Sequence, residues 1–209
     1  MVDIQDKILL DVCSYYSVKF KDYGQSPRGV DWNGEEGQFT RFQQLMNIAR
    51  DDDDFSLIDW GCGYGALLDY LHVNFQKYNY IGIDISEEMI AGAKERYNQV
   101  ESAQFYVSDT PPANADYSIA SGIFNVRLGN NDNDWWSYMT AYLDLMNQSS
   151  KKGFSFNCLT KYSDPEKMRD YLYYTDPCKI FEWCKSRYSK EIALLHDYGL
   201  YEFTILVRK

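Results

Sequence analysis

Apolar residues recur at helical spacing near the start of the chain. Ile8, Leu9, Val12, Tyr15, Tyr16 and Phe20 follow that period, which predicts a mostly helical segment over residues 1–24. The polar, glycine-bearing stretch from Tyr23 to Gly34 reads as a loop. A second helix is expected over 36–50, where Phe39, Phe42, Leu45, Met46 and Ile48 are apolar. From there short apolar runs alternate with helical patterns. The runs 55–60, 80–84, 104–107, 116–120 and 153–157 are read as strands. Helices are expected around 66–71, from Ser86 to about Tyr97, over 132–148, and as one or two helices within 164–187. Ser86, followed by Glu87 and Glu88, has the chemistry of a helix cap with acids in the first turn. Two last runs, 192–195 and 203–207, are joined by a turn at Tyr198-Gly199.

Strands alternating with helices require a mostly parallel sheet covered on both faces. The final connection is too short for a parallel crossover and forces an antiparallel hairpin. The expected fold is therefore a three-layer α/β/α sandwich, its sheet parallel except for the last strand. The chain of 209 residues suits one domain, 1–209.

Charge narrows the partners. Lys and Arg number 21 against 31 Asp and Glu, a net charge of −10. No basic patch stands out for phosphates or for an anionic membrane, so a small-molecule partner is expected, without nucleic acid or membrane. No apolar stretch approaches a membrane span, and the acidic start lacks signal-peptide character; a cytoplasmic protein is expected. Five cysteines without CxxC spacing and two histidines argue against a zinc site and for free thiols. The run Asp51 to Asp54 reads as a solvated loop rather than a metal site.

The chemistry concentrates in Asp59-Trp60-Gly61-Cys62-Gly63-Tyr64-Gly65, between a strand and a helix. Glycines there let the backbone approach a ligand and aim amide groups at it. Asp59 ends the first strand, where it would repel a pyrophosphate but suit an ammonium. Asp84 ends the second, where a carboxylate can accept both hydroxyls of a ribose. Asp109 follows the third, placed to meet an adenine amino group. Asp59 and the terminal hairpin argue against the nicotinamide-dependent oxidoreductase that the glycine spacing would also fit. A non-catalytic cofactor-binding partner protein is a further alternative.

In these residues the chain resembles the class I S-adenosylmethionine-dependent methyltransferases, with their Rossmann-like fold and seven-stranded sheet. The resemblance covers about 55–160 by motif and the terminal hairpin by topology. It implies S-adenosylmethionine as cofactor, leaving as S-adenosylhomocysteine. It implies cofactor contacts from Asp59, Gly61, Cys62, Gly63, Gly65, Asp84, Ile85, Met89, Ser108, Asp109, Thr110, Ser121, Gly122 and Phe124. Cys62 is read as a small packing residue. Residues 1–50 are expected to form a helical lid on a core of 51–209, with a helical insertion at about 164–187. The candidate catalytic side chains are His196, as a base, with Tyr16 and Tyr23 from the lid. His72 is read as structural. Trp32, Asn125, Arg127, Asn157, Lys161, Tyr162 and Tyr174 are candidate acceptor contacts, Arg127 and Lys161 for an anionic acceptor. The stretches 29–33 and 171–177 resemble a bacterial subgroup associated with surface polysaccharide. They imply a sugar or phosphoramidate-type capsule intermediate as acceptor; O-methylation is expected, with N-methylation of a small molecule as the alternative.

Overall fold

The computed structural model describes residues 4–32 and 34–209. Helix α1, Ile4–Tyr23, leads through a 3₁₀ turn, Pro27–Val30, to α2, Glu35–Met46. Then follow β1 Asp54–Trp60, α3 Leu67–Asn74, β2 Lys77–Asp84, α4 Glu87–Arg96, β3 Ala103–Val107 and β4 Ala115–Ala120. The second half runs α5 Asp132–Ser149, β5 Ser150–Leu159, α6 Pro177–Arg187, β6 Glu191–Leu195 and β7 Glu202–Arg208.

The seven strands form one sheet in the order β3-β2-β1-β4-β5-β7-β6. The pairs among β1 to β5 are parallel, and β7 runs antiparallel to both β5 and β6. This is the expected sheet, with the last strand lying between β5 and β6.

Side chains of β1 alternate between two cores, as the pleat requires. Phe55 and Leu57 join Phe42, Leu45, Leu67, Leu71, Ile90 and Ala93 of α2, α3 and α4 on one face. Ile58 and Trp60 join Met139, Leu143 and Met146 of α5 and Ile180 and Cys184 of α6 on the other. Helix α1 does not cover the sheet. Its Ile8 and Val12 pack on Trp135 and Tyr138 of α5.

Helix starts carry their caps. Ser86 Oγ accepts from the Met89 amide, and Asn131 Oδ1 accepts from the Asn133 and Asp134 amides. The acidic run is structural in part: Asp52 accepts from Tyr117 and Lys152.

The insertion differs from the helical expectation. Only a 3₁₀ turn, Pro165–Lys167, and α6 are helical there. Residues 168–176 are irregular, with a turn at 170–171 and single bridges from Leu172 to Val126 and from Thr175 to Thr160. The reason is local. Tyr171-Leu172-Tyr173-Tyr174-Thr175 is rich in strand-forming residues, and Pro177 places its missing N–H at a helix start, so α6 begins there and not earlier.

Phe156 is fully buried, edge-on to Phe124 and stacked with Phe154. Phe156→Ala is expected to lower stability by about 3–5 kcal/mol, read as a shift of the urea midpoint with unchanged slope.

Candidate active site

β1 and β4 are neighbours, and the connections leaving their carboxyl ends run in opposite directions, from β1 to β2 and from β4 to β5. Open α/β sheets bind ligands at such a switch point. Here it opens into a cleft of about 980 Å³, counted to its open mouth.

The turn after β1 is built by backbone strain that glycine removes. Gly61 and Gly63 lie at φ 67° and 55°. The Gly61 and Cys62 amides both donate to the Ile83 carbonyl of β2, at 2.8 and 3.0 Å. The Gly63 amide donates to Asp84 Oδ2 at 2.9 Å, and the Ser86 amide to Asp84 Oδ1 at 2.9 Å. Asp84 is thereby fixed with one amide on each oxygen and lone pairs left over for ligand hydroxyls. Burial raises its pKa, against the lowering pull of the Ser86 and Gly63 amides.

Asp59 is buried in the cleft wall, where its Oδ2 accepts from the Tyr80 hydroxyl at 2.7 Å. Burial pushes its pKa up to about 7; the Tyr80 hydroxyl lowers it and the Asp84 charge raises it. A cationic ligand group would restore the charged form. Two further polar atoms of cleft-lining residues, Trp60 Nε1 and Ser121 Oγ, are buried without a hydrogen-bond partner. Such atoms are costly unless a ligand or water meets them.

The N-terminal segment closes the other side. Leu9, Val12, Cys13 and Tyr16 of α1, with Val30 and Trp32, line the cleft. Asp31 latches this segment to α1, accepting from Tyr15 at 2.8 Å and from Lys19 at 2.8 Å. Ser17 ties α1 to the start of α4 through Ser86 and Glu88.

The cleft brings together Tyr16, Trp32, Asp59, Gly61, Cys62, Gly63, Asp84, Ile85, Met89, Ser108, Asp109, Ser121 and Gly122. It does not include the other candidates. His196 is exposed outside the cleft, its ring against Tyr162 and Phe203, because β6 is the far edge strand. Tyr23 is about half exposed at the end of α1. Gly65 makes room for the rings of Tyr97 and Phe105. Thr110 closes a local turn with Ser108, and Phe124 is core. Asn125 Oδ1 accepts from the Leu159 amide, holding the loop after β4 to β5. Arg127 donates to the carbonyls of Asn130 and Asp170. Lys161 pairs with Asp176 at 2.6 Å, Tyr162 is exposed, and Tyr174 accepts from the Arg169 amide. Asn157 is buried and holds the Gly122 amide, at 2.7 Å, from behind the wall.

Sequence reasoning missed Gln38 and Tyr64, joined at 3.3 Å, and Tyr138 and Tyr142 of α5. The two tyrosines stand four apart on one helix, a signal the pattern carried but that reads equally as core. Burial raises the pKa of Tyr16 and takes Tyr142 to about 12. Both are therefore protonated at neutral pH, able to donate a hydrogen bond but not to act as bases. Among the described residues lining the cleft, the charged ones are Asp59, Asp84 and Asp109.

A Rossmann-like sheet with a glycine turn and acids at successive strand ends defines the class I methyltransferase architecture. A family model described as a methyltransferase domain matches residues 57–148. The chain is 57% identical over 164 residues to "Putative methyltransferase Rv1506c" of Mycobacterium tuberculosis (strain ATCC 25618 / H37Rv), 78% of this chain and 99% of that protein. Two solved structures share the fold at 14% identity. Magnesium protoporphyrin IX methyltransferase of Synechocystis PCC 6803, with bound SAH, has a TM-score of 0.69 over 96% of this chain and 99% of its own. N-methyltransferase NodS from Bradyrhizobium japonicum WM9, in complex with S-adenosyl-L-homocysteine, has 0.66 over 95% and 98%. The chain belongs to the methyltransferase domain family and is an S-adenosylmethionine-dependent enzyme. No helix among the described residues is long and apolar enough to cross a membrane.

The raised pKa of Asp59 has a definite sign. The folded state holds this proton more tightly than the unfolded chain, so stability falls as pH rises from about 4 to about 7. Melting temperatures of the wild type, compared with Asp59→Asn, are expected to fall across that window and level off above it. A difference that is flat in pH would contradict a protonated Asp59.

Proposed function

We propose that the cleft binds S-adenosylmethionine and transfers its methyl group to a small-molecule acceptor enclosed by α1 and the Trp32 segment. The observation that carries the reading is the placement of Asp59, Asp84 and Asp109 around the glycine turn of one cleft. The residues suit the cofactor chemically. Asp59 offers a carboxylate to an ammonium, Asp84 to paired ribose hydroxyls, and Asp109 with Ser108 stands at the third strand end for the base. When bound, the cofactor supplies an activated methyl on a sulfonium.

What the chain contributes is placement. Holding acceptor and methyl in line removes most of the entropic cost of a bimolecular displacement. Tyr16 can orient the acceptor as a hydrogen-bond donor. With His196 outside the cleft, a hydroxyl of high pKa has no histidine there to take its proton. With Arg127 and Lys161 engaged elsewhere, an anionic acceptor loses the side chains expected to hold it. A neutral amine needs neither, and N-methylation is thereby favoured over O-methylation. The net charge of −10 supports a small molecule over a nucleic acid. The sugar or capsule-type acceptor is supported by the resemblance at 29–33 and 171–177 and by no residue of the cleft.

Calorimetric titration with S-adenosylhomocysteine tests the reading. Micromolar binding is expected, weakened about 10–100-fold by Asp84→Ala, the size of one hydrogen bond to a charged group. A folded wild type that binds none would overturn it.

A further inference from the structure

Glu202 is a carboxylate 1% exposed at the start of β7, outside the cleft, yet it is the centre of a closed chain of contacts ending at the cleft wall. On one side the Arg41 guanidinium of α2 grips it as a fork, Nε to Oε2 at 2.9 Å and Nη2 to Oε1 at 2.8 Å. The same guanidinium lies 3.9 Å over the Trp32 ring. On the other side Asn157 Nδ2 of β5 donates to Glu202 Oε2 at 2.5 Å. Asn157 Oδ1 in turn accepts from the Gly122 amide at 2.7 Å. The two arms meet again in the cleft. Gly122 has φ 82°, and a Cβ there would fall 2.3 Å from the Trp32 indole. The lid residue and the loop after β4 are thus in direct contact, each held from behind by one carboxylate.

The chemistry of the arms explains the residue types. An Arg fork fixes both the position and the plane of the guanidinium, which a Lys would not. A planar guanidinium can then stack on the indole and set its tilt. An amide side chain at 157 is both acceptor for Gly122 and donor to Glu202, so its flip state is dictated by its two partners. A carboxylate this deeply buried is tolerated because all its partners are charged or hydrogen-bonded. A purely apolar contact would fill the same space with less cost, so the charge has a positional use.

We propose that Glu202, Arg41 and Asn157 are positioning residues of the methyl-transfer site. They set the Trp32 indole and the Gly122 amide as one rigid wall of the cleft. The inference rests on the cofactor reading above for its functional arm, and not for its structural arm.

Hydrogen exchange on the ligand-free protein tests the structural arm. In Glu202→Gln, residues 26–32 and the Gly122 amide are expected to exchange at least tenfold faster, with β1, β2 and β7 amides unchanged. Unchanged exchange at 26–32 and Gly122 would overturn the proposal. So would an equal loss of protection along β5 and β7, which would make the pair merely a sheet fastener. Arg41→Met is a second variant, should Glu202→Gln fold poorly, and is expected to release 26–32 while leaving Gly122 protected. The functional arm is a double-mutant cycle on S-adenosylhomocysteine affinity. Glu202→Gln and Trp32→Ala are each expected to weaken binding about tenfold, and the double variant clearly less than the roughly hundredfold of independent sites. Additive losses, or no loss in the single variants, would overturn it. A wild type that binds no S-adenosylhomocysteine would instead sink the cofactor reading, and the exchange arm would decide this proposal on its own.

Discussion

The glycine turn after β1 is the constraint on which the site depends. Its amides are used up by β2: Gly61 and Cys62 donate to Ile83, and Gly63 to Asp84. The hydrogen bonds of the turn are therefore completed by β2 in register, and the turn in return fixes where Asp84 points. The same strand end delivers Ser86, whose amide takes the other oxygen and whose hydroxyl caps α4. Strand pairing, helix start and ligand carboxylate are thus one local event.

The second layer is imposed on the first from outside the sheet. Helix α1 reaches the main cores only through Phe20, at the edge of one of them; it packs on α5 and is pinned by Ser17 to the start of α4. Its polar latch, Asp31 with Tyr15 and Lys19, is partly open to solvent, so it holds the Trp32 segment with modest energy. The turn is held by backbone bonds within a parallel sheet, the lid by side-chain bonds at its surface.

The sequence made the scaffold legible because its signals are local. Alternation in β1, the Ser86 cap and the glycine spacing each involve neighbours within a few residues. Strand ends in a parallel sheet then carry Asp59, Asp84 and Ser108 to one edge without further information. The failures lie where sequence neighbours part in space. His196 follows a strand end like the others, yet β7 intervenes and leaves it on the far edge. Arg127, Lys161 and Asn125 sit near functional strand ends but are spent on loop carbonyls, an aspartate and a backbone amide. Arg41 and Glu202 lie 161 positions apart, and no periodicity reports such a pair.

The order of strands in space has a consequence for how the chain assembles. β6 precedes β7 in sequence, but β7 lies between it and β5, so β6 has no place in the sheet until β7 arrives. The late strand is an interior one, and it carries the carboxylate behind the cleft wall. Such distant pairing is entropically slow to close. A nascent or clipped chain lacking residues 202–208 would hold a complete glycine turn and its three acids beside an unfinished wall, and its raw β5 edge would be open to strands of other molecules.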